Sequence, residues 1–453
     1  GAVYHTINPR LFPDQIAWIV NHAQDRVLLT DLTFVPLLEA MAPKLESVER
    51  FVVLTDSAHM PATKLRAAIA YEDWIGEEDG DFEWVKVDER AAAGLCYTSG
   101  TTGNPKGVLY SHRSNVLHSM AMAAPDALGL ASRSIILPVV PLFHANSWSI
   151  AFSAPMTGAK LVLPGARLDG ASIYELLEAE QVTCTAGVPT VWAMLLQYLQ
   201  KENRRLTSLE RLVVGGAAAP RTMIEAFERQ GIEVFHAWGM TEMSPVGTIG
   251  SIKHAVSQLR DEALIDLKCK QGFAPFTVEM KITDDEGRRL PWDGKTFGRL
   301  KVAGAAVARA YFRSDEPILD DEGFFDTGDV ATIDRNGYMQ ITDRAKDVIK
   351  SDREWISSIG LENLAVAHPD VAEAAVIGIA HPKWGERPLL VVVPRENRTI
   401  DRQGVIDYMG AKVASWWLPD DIAVIDELPH TAAGKLNKVA LRAQFGSYRF
   451  PER

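Results

Sequence analysis

Short apolar runs alternate with helix-period segments along much of this chain, and that alternation restricts the fold more than any other feature. Arg26–Thr30, Phe51–Leu54, Ile135–Val140, Lys160–Leu163, Val182–Thr185 and Leu212–Val214 are apolar runs of strand length. Between them, Ser172–Glu180, Pro189–Gln200 and Pro220–Gln230 carry apolar residues at three- and four-residue spacing. Pro189 and Pro220 sit where first-turn prolines belong. Strand–helix alternation predicts a mainly parallel sheet with helices on both faces.

The pattern changes after about residue 275. Phe276–Thr283 and Phe297–Val302 alternate with period two, and Asn336-Gly337 separates two further strand-like runs as a hairpin signal. From Lys346 a small α+β unit is expected: helices near Ser357–Ala367 and Gln403–Val413, and strands at Ala374–Ile379, Leu389–Pro394 and Ile422–Ile425. A chain of 453 residues is too long for one core. The expected class is therefore α/β. It has a large N-terminal domain, residues 1–345, of mainly parallel sheets with helices plus an antiparallel β subdomain, and a small α+β C-terminal domain, residues 346–453.

A net charge of −12 argues against non-specific nucleic-acid binding. Cys96, Cys184 and Cys269 are odd in number and widely spaced, which argues against a disulfide framework or a zinc site. No run of eighteen apolar residues and no signal peptide is visible, so a cytoplasmic protein without a membrane span is expected. The chain opens mid-rhythm at Gly1-Ala2-Val3-Tyr4. No interface pattern is readable, and a homodimer is left open.

The sharpest local signal is Tyr97-Thr98-Ser99-Gly100-Thr101-Thr102-Gly103-Asn104-Pro105-Lys106-Gly107. Glycines let backbone approach an anion closely, successive amides form an anion-binding concavity, and hydroxyls and Lys106 add donors and charge. A Walker A loop is excluded, because Gly103 is followed by Asn104-Pro105 and not by Lys-Ser or Lys-Thr. This run looks like the signature of the adenylate-forming enzymes, the superfamily of acyl-CoA synthetases, adenylation domains and luciferases. The resemblance covers essentially the whole chain and is strongest to bacterial medium- and long-chain fatty-acid–CoA ligases, including the methylmercaptopropionate–CoA ligase type.

The resemblance carries roles to particular residues. Thr98, Ser99, Gly100, Thr101, Thr102, Gly103 and Lys106 would cradle the phosphates of ATP. Gly215, Gly216, Ala217 and Ala218, in Gly215–Pro220, would pack the adenine edge, with Trp238, Gly239 and Met240 completing the nucleotide site. Within Ala237–Glu242, Thr241 would bond the α-phosphate and Glu242 would hold Mg²⁺, a hard oxygen ligand for a hard cation. Asp329, in the Thr-Gly-Asp step 327–329, would accept from the ribose hydroxyls, and Arg344 would contact ribose or phosphate; the bland alternative is a hairpin ion pair between them. Lys435, in Pro429–Lys435, would bridge the attacking carboxylate and the α-phosphate, where charge builds in the displacement.

In Pro141–Trp148, His144 would stand near the acyl or CoA entrance, and Trp148 and Trp238 would bound the acyl tunnel. Lys346 would be the hinge about which the small domain rotates, bringing Lys350 near the acyl-adenylate. The family's large domain has strands that would precede Gly1, so a fragment or shortened member is expected. Arg353 departs from the family's pattern, since a glycine normally lines the pantetheine tunnel there.

The implied reaction is ATP-dependent ligation of a carboxylic acid to coenzyme A, through an acyl-adenylate with pyrophosphate release and then thioester formation with AMP release. A short- or medium-chain or fatty acid is the implied substrate. The alternatives are a carrier-protein-loading adenylation domain, or an adenylation-only enzyme impaired at the thioester step by Arg353. Lys435 is also a candidate for acetylation, which would remove its charge.

Overall fold

A computed structural model describes residues 1–98, 104–345, 347–351, 354–430 and 436–450, with the side chains of residues 350, 354 and 355 also outside the description. A six-stranded sheet dominates the first half of the chain. Its order is Val246–Ile249, Glu233–Gly239, Arg211–Val214, Cys184–Gly187, Ile135–Pro138, Lys160–Leu161. Every neighbouring pair is parallel except the first, which is antiparallel.

The period-two rule explains how this sheet is covered twice. Leu212 and Val214 point to one face and Val213 to the other. Helices Gly170–Ala179, Pro189–Lys201 and Arg221–Glu228 cover the first face through Ile173, Leu177, Trp192, Leu195, Ile224 and Phe227. Helices His112–Ala123 and Ile150–Thr157 cover the second through Ala121, Met122, Ile150 and Ala154. Each fully buried aliphatic or phenyl side chain contributes roughly 1.5–3 kcal/mol of transfer free energy. The alternation in the sequence is thus what a two-faced parallel sheet requires.

Two expectations shift slightly. Pro220 is the N-cap of Arg221–Glu228 and lies outside the first turn. The strand expected from Phe276 begins at Val278, and Phe276 itself is exposed.

Three smaller sheets frame the large one. Val27–Thr30, Arg50–Val53 and Ala68–Ala70 form a parallel trio. Tyr4–His5, Ala92–Tyr97 and Gly107–Ser111 form another, parallel at its first pair and antiparallel at its second. The antiparallel sheet Val278–Thr283, Gly298–Gly304, Phe325–Ile333, Met339–Arg344 contains the expected hairpin, with Gly337 at φ 84° in the turn.

The last sheet pairs Glu354–Ile356, Ile349–Ser351, Gly385–Pro394 and Val371–His381, with Asp421–Val424 parallel to Gly385–Pro394. Helices Ser358–Val366 and Arg402–Gly410 pack on one of its faces through Leu361, Ala365, Val405 and Met409. Cys96 and Cys184 are buried, and all three cysteines are free thiols. Among the described residues, no helix is long and apolar enough to cross a membrane.

Candidate active site

Strands Ala92–Tyr97 and Gly107–Ser111 are the two arms of the glycine-rich loop. The loop is pinched at its base: Thr98 N–H donates to the Lys106 carbonyl at 2.9 Å, and Lys106 N–H donates to Thr98 Oγ1 at 3.3 Å. Ser99, Gly100, Thr101, Thr102 and Gly103 lie outside the described residues. Lys106 Nζ stands 4.7 Å from the centroid of the Tyr311 ring, close enough for a cation–π contact.

Tyr311 connects this loop to the Thr241-Glu242 turn. Its hydroxyl donates to Glu242 Oε1 at 2.7 Å, and burial, reinforced by the Glu242 charge, pushes the phenol up so that it stays a donor. Strand Glu233–Gly239 delivers the short helical turn Thr241–Met243, in which both Thr241 and Glu242 are buried. Tyr110 holds the turn from beneath through a 2.7 Å hydrogen bond to the Thr241 carbonyl. Neither tyrosine was singled out from the sequence. They lie 131 and 69 residues from their partners, with no motif to link them.

Asp329 and Arg344 face each other across the antiparallel ladder. Arg344 Nε meets Asp329 Oδ1 at 2.8 Å, and Trp238 Nε1 donates to Asp329 Oδ2 at 2.9 Å. The hairpin ion pair is therefore present. A carboxylate offers two acceptor oxygens, the chemistry ribose hydroxyls require. Asp329 is buried while the Arg344 side chain is nearly half exposed, so the pair opens to solvent on the arginine side.

Gly215, Gly216, Ala217 and Ala218 follow strand Arg211–Val214. A side chain at Gly215 would lie 2.9 Å from the Trp148 ring, and Gly216 has φ +79°, so this turn requires glycine twice. His236 fixes the end of the turn. Its Nε2 accepts from Ala219 N–H at 3.3 Å and its Nδ1 donates to the Cys269 carbonyl at 2.9 Å. Burial lowers its pKa to about 4, which keeps the ring neutral and able to accept.

The expected aromatic segment has an unusual backbone. Ala145, Asn146, Ser147, Trp148 and Ser149 all have positive φ, between 44° and 63°. Left-handed conformation costs a non-glycine residue roughly 1–2 kcal/mol, so five in succession must be held by their surroundings. Trp148 is buried in the apolar cluster with Ile150, Ala154 and Phe235, whereas Trp238 packs against the separate cluster of Met243, Ile282 and Leu300. The two tryptophans expected to bound one tunnel therefore sit in different clusters. His144 is half-buried at the N-cap of this turn.

Lys346, Arg353 and Lys435 lie outside the described residues, and Lys350 is described only as backbone in the strand Ile349–Ser351. The loop that carries Lys435 is closed at its base by a bridge between His430 and Leu436, and by Asn437 N–H donating to the Pro429 carbonyl at 2.7 Å. Among the described residues, no group of three or more histidine, cysteine or carboxylate side chains is placed to hold a metal ion. One buried carboxylate beside a threonine suits a metal that arrives largely liganded by phosphate oxygens and water. A broad apolar cavity of about 1260 Å³ opens beside the N-terminal strand, lined by Leu29, Phe34 and Leu142 among others. It includes none of Thr241, Glu242, Asp329 or Arg344, but Tyr4, Thr6, Leu95, Leu109 and Phe143 also line it.

Fold and site together define the class: an α/β enzyme of the adenylate-forming kind. The profile of the AMP-binding enzymes matches residues 1–312, and that of the AMP-binding enzyme C-terminal domain matches residues 360–435. The chain belongs to the AMP-binding enzyme family. It is 49% identical over 447 residues to 3-methylmercaptopropionyl-CoA ligase of Ruegeria pomeroyi, covering 98% of this chain and 83% of that protein. It is 50% identical over 448 residues to medium-chain-fatty-acid–CoA ligase of Ectopseudomonas oleovorans, covering 98% and 82%. Among solved structures, it resembles o-succinylbenzoate CoA synthetase of Bacillus subtilis in complex with its acyl-adenylate intermediate. The TM-score is 0.77 at 26% identity, covering 99% of this chain and 84% of that one.

Proposed function

We propose that this protein is an ATP-dependent carboxylic acid–CoA ligase acting on an apolar acid of short to medium length. The observation that carries the reading is one run of contacts through the expected motifs. Lys106 meets Tyr311, Tyr311 bonds Glu242, and Thr241 precedes Glu242 in the same turn. Trp238, at the end of the strand that delivers the turn, bonds Asp329, and Asp329 pairs with Arg344. A nucleotide laid along this run meets a cation, a hydroxyl, a carboxylate and a second cation in the order its phosphates and ribose need.

In this reading the loop Thr98–Lys106 and Thr241 hold the triphosphate. Asp329 and Arg344 hold the ribose, and Gly215–Ala218 with Trp238, Gly239 and Met240 enclose the adenine. Glu242 would hold Mg²⁺, which would neutralise phosphate charge during the displacement. Lys435 would stand between the acid's carboxylate and the α-phosphate, stabilising the charge shared in the transition state. Residues 1–345 and 346–453 act as two domains hinged at Lys346, so that Lys435 serves the first half-reaction and Lys350 approaches the adenylate for the second. His144 and the apolar surroundings of Trp148 suit an acyl chain with few polar groups. The names of the two CoA ligases at about half identity, one for methylmercaptopropionate and one for medium-chain fatty acids, favour the same range. Acylation of Lys435 would abolish its charge and with it adenylation.

The test is a panel of carboxylic acids with CoA present and absent, with pyrophosphate and AMP followed separately. A ligase forms AMP only when acid and CoA are both present, and exchanges pyrophosphate into ATP with acid alone. No exchange with any acid sinks the assignment. Exchange without CoA-dependent AMP identifies an adenylation-only enzyme. Transfer to a carrier-protein thiol in place of CoA identifies a loading domain.

A further inference from the structure

The five left-handed residues 145–149 ask what holds them, and a buried polar cluster around Asn146 answers. Tyr4 hydroxyl donates to Asn146 Oδ1 at 3.2 Å and accepts from Asn115 Nδ2 at 2.8 Å. Asn146 Nδ2 donates to Thr6 Oγ1 at 3.4 Å, and Cys96 Sγ lies 3.6 Å from Asn146 Oδ1. Both ends of one carboxamide are thus engaged by two separate segments of the chain, the N-terminal strand region and the strand Ala92–Tyr97. Tyr4 is itself placed by design of the backbone: a side chain at Gly94, its partner in the parallel ladder, would overlap the Tyr4 ring. Burial keeps the Tyr4 phenol protonated and donating.

The neighbours of Asn146 reach the site. Ser147 Oγ donates to the Val140 carbonyl. Ser149 Oγ donates to the Ser244 carbonyl at 2.8 Å, two residues after Glu242. The Trp148 ring lies against Gly215 and Gly216. Five consecutive residues therefore hold a tryptophan on the glycine turn at one side and touch the Thr241-Glu242 turn at the other. Of the five, asparagine is the type that tolerates left-handed backbone best.

We infer that Asn146 is a positioning residue for the acid site: its carboxamide, clamped by Tyr4, Thr6 and Cys96, keeps residues 145–149 left-handed and so fixes where the Trp148 wall stands. In this assignment the residue acts through Trp148 and not by its own contact with nucleotide or acid. The inference rests on the ligase reading above, in which Trp148 bounds the acid.

The experiment compares Asn146→Ala, Asn146→Gly and Tyr4→Phe with the native chain, using a series of straight-chain acids at saturating ATP and CoA. Asn146→Ala is expected to change the ratio of kcat/KM between the longest and shortest accepted acids by about 10-fold or more, with a smaller change in KM for ATP, because a wall displaced by an ångström matters most to the substrate that touches it and less to the adenine across the glycine turn. Asn146→Gly lacks the carboxamide but takes left-handed backbone without a Cβ penalty, so it should shift the profile in the same direction as alanine and by less. Tyr4→Phe should shift the profile in the alanine direction by less.

An unchanged profile in Asn146→Ala overturns the inference. So does an equal loss for every acid and for ATP in the alanine and glycine variants alike, which would mark a merely structural residue. Should Asn146→Ala fail to fold by circular dichroism, the glycine and Tyr4→Phe profiles decide the matter. The melting temperatures test the clamp independently of turnover: the order native, glycine, alanine is expected, and glycine falling below alanine overturns it. A native chain inactive on every acid would count against the ligase reading, while that melting order would still test the clamp.

Discussion

The six-stranded sheet of the first half and the five-stranded sheet near the carboxyl end are both covered on two faces, yet they bury different kinds of polar group. The first encloses neutral bases beside a largely buried ion pair, Lys268 Nζ to Glu228 Oε1 at 2.5 Å. His118 Nε2 accepts from Val246 N–H at 2.9 Å, His236 anchors the turn after Gly215-Gly216, and burial lowers the pKa of each to about 4. The second encloses ions. Lys438 Nζ meets Glu362 Oε1 at 2.6 Å, Glu362 Oε1 also accepts from Val376 N–H at 2.8 Å, and Ser358 N–H donates to Asp343 Oδ2 at 2.6 Å. Lys438 also donates to Ser358 Oγ. This second cluster joins the strand that carries Arg344 to the helix Lys438–Gln444 just beyond the Lys435 loop. The first region builds its site from backbone turns held by neutral acceptors. The second ties the helix Lys438–Gln444 to the strand Met339–Arg344 by buried charge, which is strong only while every partner is present.

Acid should separate the two regions most sharply. A histidine held neutral contributes stability that is complete above its unfolded pKa near 6.5 and is lost as pH falls from there toward 4. His118 and His236 together should therefore remove several kcal/mol from the first region over that window, roughly 3 kcal/mol each. Hydrogen exchange across pH 7 to 4 would read this as early loss of protection in the strands Arg211–Val214 and Glu233–Gly239. Equal loss in the strands Val371–His381 and Gly385–Pro394 would erase the contrast.

Lys438→Met tests the other side. It leaves Glu362 buried without its cation and should destabilise the C-terminal sheet by about 3–5 kcal/mol. Adding Glu362→Met should recover much of that loss, as measured by denaturant unfolding. A double variant no better than the single one would show that the ion pair is not what holds the region.

Lys435→Ala asks whether the second region takes part in the chemistry. Pyrophosphate exchange should fall roughly 10²–10³-fold, the scale for one lost transition-state donor, with the melting temperature unchanged. Exchange within a few-fold of native would confine the chemistry to the first region. Tyr311→Phe is the mildest probe. Losing its hydrogen bond to Glu242 should weaken ATP or Mg²⁺ binding by about 1 kcal/mol, roughly 5-fold in KM. An unchanged KM for both would leave Tyr311 as packing alone.

Much of this was readable in advance, and for a local reason. The Asn336-Gly337 turn announced the hairpin, but Asp329 stands opposite Arg344 only because the ladder shifts register by one residue between Val330 and Ala331, a bulge with no signal in the sequence. The Thr98–Lys106 loop is legible from contiguous residue types, whereas the Thr241-Glu242 pair stands out only through the family resemblance. The left-handed stretch 145–149 was not legible, since it contains no glycine and only Asn146 hints at positive φ. Pro220 was misplaced by a single residue because a proline suits both a first turn and the position before it.

By itself the sequence determined the alternation of strands and helices, the two-faced parallel sheet and the antiparallel and C-terminal units that follow it. These depend on period and on neighbours a few residues apart, where geometry leaves few alternatives. The tertiary structure alone decided that Tyr110 and Tyr311 hold the Thr241-Glu242 turn, that neutral His236 props the glycine turn, and that Tyr4 clamps Asn146 from 142 residues away. Those pairings are set by where the chain returns in space after long excursions, and no residue's own chemistry announces its distant partner.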